Sequence, residues 1–324
     1  MTTQLIDCKI LERKQNFMKN ILTLDLGRGW IRYAITTETL DSLEQGKVPV
    51  ESVTDPEAVF SQMEMLGKKY KDKVDGIALT MPGVIDSEHG IAFSGGMYRW
   101  VHEMEYAKII EERTGLHTII LNDAKAAALA EVAYGSLKKA RRGVLLMLLG
   151  TGIGGAIVDQ GKIVNGSHFA AGEFSYMPGD YQDREEGKDM FSLAMSINRL
   201  VEMVKESTGN ENVNIMKVMR GLSQHDPLVE EGVRRYCKRL ATFIYAIQCV
   251  VDADQFSIGG NITDEPRFIK MIQEAIHERY ETNKYKVTFE PLIKGVSFHE
   301  DSRKYGAVHL YLQMEKERDN SDHQ

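Results

Sequence analysis

The first strong pattern along the chain is a pair of β-rich runs between Ile21 and Ile35. Ile21-Leu22-Thr23-Leu24-Asp25-Leu26 and Trp30-Ile31-Arg32-Tyr33-Ala34-Ile35 flank Gly27-Arg28-Gly29, which predicts a β-hairpin with an acid near its tip. Asp55-Pro56 then supplies an N-cap and a first-turn proline for a helix carrying Val59, Phe60, Met63 and Leu66. Gly76-Ile77-Ala78-Leu79-Thr80 reads as a buried strand running into Met81-Pro82-Gly83, and a loop at Ser94-Gly95-Gly96 precedes a helix over roughly 103–114. Thr118-Ile119-Ile120-Leu121 is a further strand, ending at Asn122-Asp123, where an alanine-rich helix from Ala124 to Ala133 begins.

The plan repeats in the second half. A strand from Gly143 to Leu149 meets Gly150-Thr151-Gly152-Ile153-Gly154-Gly155, and a returning strand Ala156-Ile157-Val158 closes at Asp159-Gln160-Gly161-Lys162. Helices dominate from about Met190 to Val251, a short strand Gln255-Phe256-Ser257-Ile258 ends in Gly259-Gly260-Asn261, and a final helix starts near Tyr305. Strands alternating with helices imply an α/β architecture with sites at the carboxyl ends of strands. Residues 1–20 carry no such pattern and read as a disordered extension.

Composition narrows the class. The chain has 324 residues, 43% of them hydrophobic and 27% charged, an ordinary balance for a folded protein of about two domains. A net charge of −7 argues against general nucleic-acid binding, which needs clustered Lys and Arg. Cys8, Cys237 and Cys249 form no CxxC pair or zinc spacing, which fits a reducing cytoplasm. The absence of a long apolar run argues against export and membrane insertion.

Gly150, Gly152 and Gly155 satisfy GxGxxG, with Glu173 about 20 residues on. A dinucleotide fingerprint must open a helix, yet β-rich runs follow here, so a dehydrogenase is the weaker reading. A glycine hairpin can instead cradle phosphate with its backbone N–H groups, since side chains there would block the anion. Asp25, read beside such glycines, can hold Mg²⁺ directly or through its water; alone, it is a turn former. Asn122 and Asp123 are both favoured helix N-caps, and a carboxylate at the end of a buried strand is also placed to accept a hydroxyl proton. Glu173 is either a solvated loop acid or a grip for vicinal hydroxyls. His168 reads as a loop histidine; Met190, Met195, Met203, Met216 and Met219 read as helix-core packing.

In their order and spacing, Leu24-Asp25-Leu26-Gly27, Met81-Pro82-Gly83, Asn122-Asp123-Ala124, Leu149 to Gly155, Ala171-Gly172-Glu173 and Ile258-Gly259-Gly260 resemble the ROK family of sugar kinases. The resemblance runs from about Ile21 to Leu312. It implies an actin-like ATPase fold: two lobes on ribonuclease-H-like cores with a central cleft, a smaller lobe of 21–122 plus about 303–318 and a larger one of 123–302. It implies ATP and Mg²⁺, a sugar substrate phosphorylated on a hydroxyl, the 6-OH of a glucoside or hexose, and a homodimer. Asp123 is then the general base; Asn122 and Glu173 bind sugar hydroxyls, and Gly83, Gly95 and Gly96 line the sugar pocket. Asp25, Gly27, Arg28, Gly150, Thr151, Gly152 and Gly154 face the phosphates, and Gly259-Gly260 lies by the adenosine.

Three departures qualify this reading. Many members carry a histidine and a CxCGxxGC zinc cluster after the Gly-Glu segment, whereas this chain has Tyr176 and then Met177-Pro178-Gly179-Asp180 without cysteine. No zinc site is expected, and Tyr176 alters what is accepted near the anomeric carbon, as in the zinc-free branch that includes β-glucoside kinases. The third is Arg28-Gly29 in place of the usual Gly-Thr. Arg28 can reach the γ-phosphate or obstruct the loop, leaving a catalytically weak or inactive sugar-binding regulator as the alternative.

Overall fold

The computed structural model describes residues 18–179, 190–285 and 288–321. Residues 1–17, on which most of the expected extension falls, and Asp180 lie outside them. Two compact units emerge, one formed by the residues up to Ala126 with those from Arg303 onward, the other by Ala127–Ser302.

In the first unit β1 (Asn20–Gly27), β2 (Trp30–Thr37) and β3 (Ser42–Pro49) form an antiparallel meander, and β4 (Gly76–Met81) and β8 (Thr118–Asn122) extend it in parallel, in the order β3-β2-β1-β4-β8. A small antiparallel sheet of β5 (Ile85–Asp86), β6 (Ile91–Ser94) and β7 (His102–Met104) is inserted between β4 and β8. Alternation sorts β1. Leu22, Leu24 and Leu26 enter a core with Phe60, Met63 and Leu66 of the Pro56–Tyr70 helix and Ile110 of the Tyr106–Thr114 helix, as period-2 geometry requires. Asp25 points to the other face, where Arg303 of the Ser302–Ser321 helix meets it.

The second unit repeats the topology. The order is β11-β10-β9-β12-β13, from β9 (Arg142–Leu148), β10 (Ile153–Asp159), β11 (Lys162–Ile163), β12 (Gln255–Gly259) and β13 (Leu292–Gly295). β9 is buried on both faces. Val144, Leu146 and Leu148 face the large helical core, and Leu145 and Met147 face Ala127, Ala128 and Val296, so its sequence is continuously apolar rather than alternating.

Several expectations need correction. The helix read over 103–114 begins at Tyr106, because His102–Met104 pairs with β6 as a strand. The Asn122-Asp123 boundary is confirmed, with β8 ending at Asn122 and a helix spanning Asp123–Ala133. Of the methionine run, Met195 and Met203 are core, but Met216 is 68% exposed. The helix Pro266–Thr282 and strands β3 and β13 were not anticipated.

Candidate active site

In the first unit the sequence-derived residues gather at the carboxyl ends of β1, β4 and β8. The helix N-terminus there is capped by Asn122, whose Oδ1 accepts the Ala124 N–H (2.9 Å) and the Lys125 N–H (3.0 Å). Its amide Nδ2 donates to the Gly83 carbonyl (2.9 Å), and the side chain is buried. Asp123 Oδ1 accepts the Ala124 N–H as well (2.8 Å). Two residues could have been the cap, and the two-residue N–H set typical of a cap goes to Asn122. Burial pushes the Asp123 carboxyl above the ordinary carboxylate range; the Arg303 guanidinium opposes this and the Asp25 carboxylate adds to it.

Gly83 and Gly96 follow from packing between two loops. Gly83 has φ +112°, and a Cβ there would land on the Ser94 carbonyl, so only glycine lets the two segments approach. Gly95 is crowded by Val101. Tyr98, from the same loop, donates its hydroxyl to the Gly27 carbonyl (2.6 Å), tying this loop to the first hairpin tip. The hairpin itself is as expected, Gly27 pairing with Trp30 and Arg28 exposed.

Asp25 is held tightly. Arg303 Nη1 donates to both carboxylate oxygens (3.1 and 3.0 Å), Thr80 Oγ1 donates to Oδ1 (2.9 Å), and Arg32 Nη1 stands 4.0 Å from Oδ2. A magnesium ion about 2.1 Å from either oxygen would lie within about 5 Å of Arg303 Nη1, a repulsion of order 6 kcal/mol at an effective dielectric constant of ~20. Asp25, expected to hold magnesium directly or through its water, is thus an ion-paired carboxylate, and the residues around it do not fit a directly bound metal. Arg303 lies 278 positions away in sequence, and no local pattern could have found it.

In the second unit the glycines close an antiparallel hairpin, with Ile153 opposite Leu148 and Gly154 opposite Met147. No helix opens there, which removes the dinucleotide reading. A Cβ on Gly150 would meet nothing within 4 Å and one on Gly152 only Ser192 at 3.8 Å, while neither has positive φ. The fold does not demand glycine at these two positions. By contrast Gly155 is crowded by Phe174 and Gly172. The tip is anchored from behind, as the Ile197 and Asn198 N–H groups donate to the Leu149 and Gly150 carbonyls (2.9 and 3.1 Å). Thr151 is exposed.

Glu173 is partly buried ahead of the short Phe174–Tyr176 turn, Tyr176 is 64% exposed, and His168 is an exposed turn residue. Gly260 has φ +111° and sits against the Leu148 carbonyl, and Gly259 against the Met147 sulfur. Beside them is a cavity of about 660 Å³ lined by Thr263, Asp264, Pro266, Ile269, Val296 and His299. Sequence reasoning missed Glu131, a fully buried carboxylate. Its Oε2 accepts the Ser136 N–H and hydroxyl (both 2.7 Å), and its Oε1 accepts the Ser297 (2.8 Å) and Phe298 (3.1 Å) N–H groups. Among the described residues no helix is long and apolar enough to cross a membrane.

The chain is 31% identical over 226 residues to a β-glucoside kinase of Listeria innocua, covering 67% of this chain and 74% of the relative. A β-glucoside kinase of Klebsiella pneumoniae is 28% identical over 255 residues, 77% of this chain and 82% of that one. Among solved structures, a ROK family protein from Streptococcus pneumoniae in complex with sucrose superposes with a TM-score of 0.77 at 25% identity, covering 92% of this chain and 99% of that one. Its neighbours fix the architecture as the actin-like ATPase fold. With the ROK family profile matched over residues 21–314, the chain belongs to the ROK family.

Proposed function

We propose that this protein is an ATP-dependent kinase of β-glucosides or related hexoses that phosphorylates the 6-hydroxyl with Asp123 as general base. That it is a sugar kinase follows from the family and from relatives named as β-glucoside kinases, glucokinase and N-acetylmannosamine kinase. The observation that carries the base assignment is the division of labour at the end of β8. Asn122 caps the helix and binds Gly83, leaving the neighbouring carboxylate for chemistry at a rigidly held position.

In this reaction the sugar hydroxyl oxygen attacks the γ-phosphorus of ATP in line. The new O–P bond forms as the bond to the bridging oxygen breaks, ADP leaves, and the hydroxyl proton passes to Asp123. A carboxyl raised above its usual range by burial is a stronger base than a solvated one. Positioning and charge stabilisation carry the rest. Gly83, Gly95, Gly96, Asn122, Glu173 and Tyr176 are assigned to the sugar, Asn122 also holding Gly83 in place. The bare Gly150 and Gly152 with Thr151 and Gly154 are assigned to the phosphates alongside Gly27 and Arg28, and Gly259-Gly260 with the adjoining cavity to the adenosine. ATP enters as its magnesium complex, and no step here depends on a metal held by Asp25.

A second reading, a sugar-binding regulator without turnover, draws on exposed Arg28 at the first hairpin tip and on the pairing of Asp25 with Arg303. The two are separated by an ADP-release assay over glucose, fructose, N-acetylmannosamine, cellobiose and aryl β-glucosides. Turnover with a β-glucoside is expected; flat traces with every sugar, alongside measurable sugar binding, would favour the regulator.

A further inference from the structure

The pairing at Asp25 is more specific than a surface ion pair. One guanidinium nitrogen spans both carboxylate oxygens, Thr80 fixes one of them, and a second guanidinium, Arg32, flanks the other. Both partners are largely buried, with side-chain exposures of 23% for Arg303 and 19% for Asp25. The Thr80 contact is built into the sheet, since Asp25 and Thr80 are register partners on β1 and β4. Arg303 stands at the first turn of the Ser302–Ser321 helix, whose position is locked two ways. Gly306 touches the Ala126 backbone, and Tyr311 donates to the Asp75 carbonyl (3.2 Å). The guanidinium is thus delivered to Asp25 by packing, not by a flexible reach from solvent. The same group also acts electrostatically on Asp123.

We infer that Arg303 is the resident cation of the Asp25 carboxylate, taking the place that a magnesium ion would occupy there, and that Asp25 is a counter-ion seating this guanidinium rather than a metal ligand. The inference deepens the kinase reading by naming which charge of the protein stands beside the base. A guanidinium is permanently charged and planar, so the charge at this point is fixed before any nucleotide arrives.

The test is a titration of the folded full-length protein with Mn²⁺ alone, followed by the electron paramagnetic resonance signal of free Mn²⁺. Wild type and D25N are expected to bind Mn²⁺ identically. R303A, which strips the carboxylate of its partner, should gain one Mn²⁺ per chain, and R303A/D25N should lose that gain. R303K, which keeps a positive charge, should gain none. Should R303A fail to fold, as judged by its melting curve, R303Q keeps the length without the charge and serves in its place. A wild-type Mn²⁺ site that disappears in D25N would overturn the inference, as would a folded R303A or R303Q with no added site. Because the titration involves neither sugar nor turnover, its failure leaves the kinase reading standing, and an inactive enzyme with the expected Mn²⁺ pattern would sink only that reading.

Discussion

Replacing Asn122 by alanine and Asp123 by asparagine should affect the fold very differently, although the two residues are adjacent and of similar chemistry. N122A removes the acceptor of the Ala124 and Lys125 N–H groups, a cap whose loss costs about 1 kcal/mol. It also strands the Gly83 carbonyl, which adds roughly another 1 kcal/mol; Gly83 is only partly buried, so water recovers part of the usual penalty. The combined loss is about 2 kcal/mol. D123N keeps an oxygen for the Ala124 N–H and removes a charge that burial disfavours, so its stability should match wild type within about 1 kcal/mol or exceed it. The chain has two tryptophans, and both Trp30 and Trp100 lie in the unit that contains these residues, so their fluorescence in a urea titration reports the right transition. A wild-type midpoint for N122A, or a larger loss for D123N than for N122A, would refute the assignment of the cap to Asn122.

Other consequences follow from single contacts. A Cβ at Gly306 would land on the Ala126 carbonyl, so G306A should lower stability by about 1–3 kcal/mol by overpacking; an unchanged urea midpoint would contradict the close approach of these helices. E131A strands two hydroxyl or amide donors of Ser136 and the Ser297 and Phe298 amides, for a loss of at least about 3 kcal/mol read as a lower melting temperature by circular dichroism. Arg267 holds the Glu230 carboxyl down to about 2. A carboxyl depressed in the folded state stabilises above its unfolded value near 4.5 and loses that contribution as pH falls towards 2. E230Q should therefore be less stable than wild type by about 2–3 kcal/mol at pH 7, and the gap should close between pH 4.5 and 2; a gap independent of pH would argue against the pair.

Much of this fold was legible because its signals are local. Gly27-Arg28-Gly29 and Gly150 to Gly155 sit between β-rich runs, and both became hairpins. The strand β3 was not legible: it is an edge strand with Leu43 62% exposed, so no apolar alternation marks it, and only pairing with β2 makes it a strand. The small sheet consists of strands of two to four residues, too short for periodicity. Helix Pro266–Thr282 did leave a signal, Phe268, Met271, Ile272, Ala275 and Ile276 at helical spacing after an N1 proline. At the site, sequence could nominate Asn122 and Asp123 but could not divide cap from base, since both residue types suit both roles. Nor could it see Arg303, whose partner is fixed by tertiary packing alone.

The central claim is that Asp123 takes the proton from the sugar hydroxyl. It is tested most directly by measuring kcat for D123N on the best glucoside together with sugar binding by calorimetry. The expected result is unchanged sugar affinity with kcat reduced at least about a hundredfold, the scale of general-base loss. Near-normal turnover in a folded D123N protein would contradict the account.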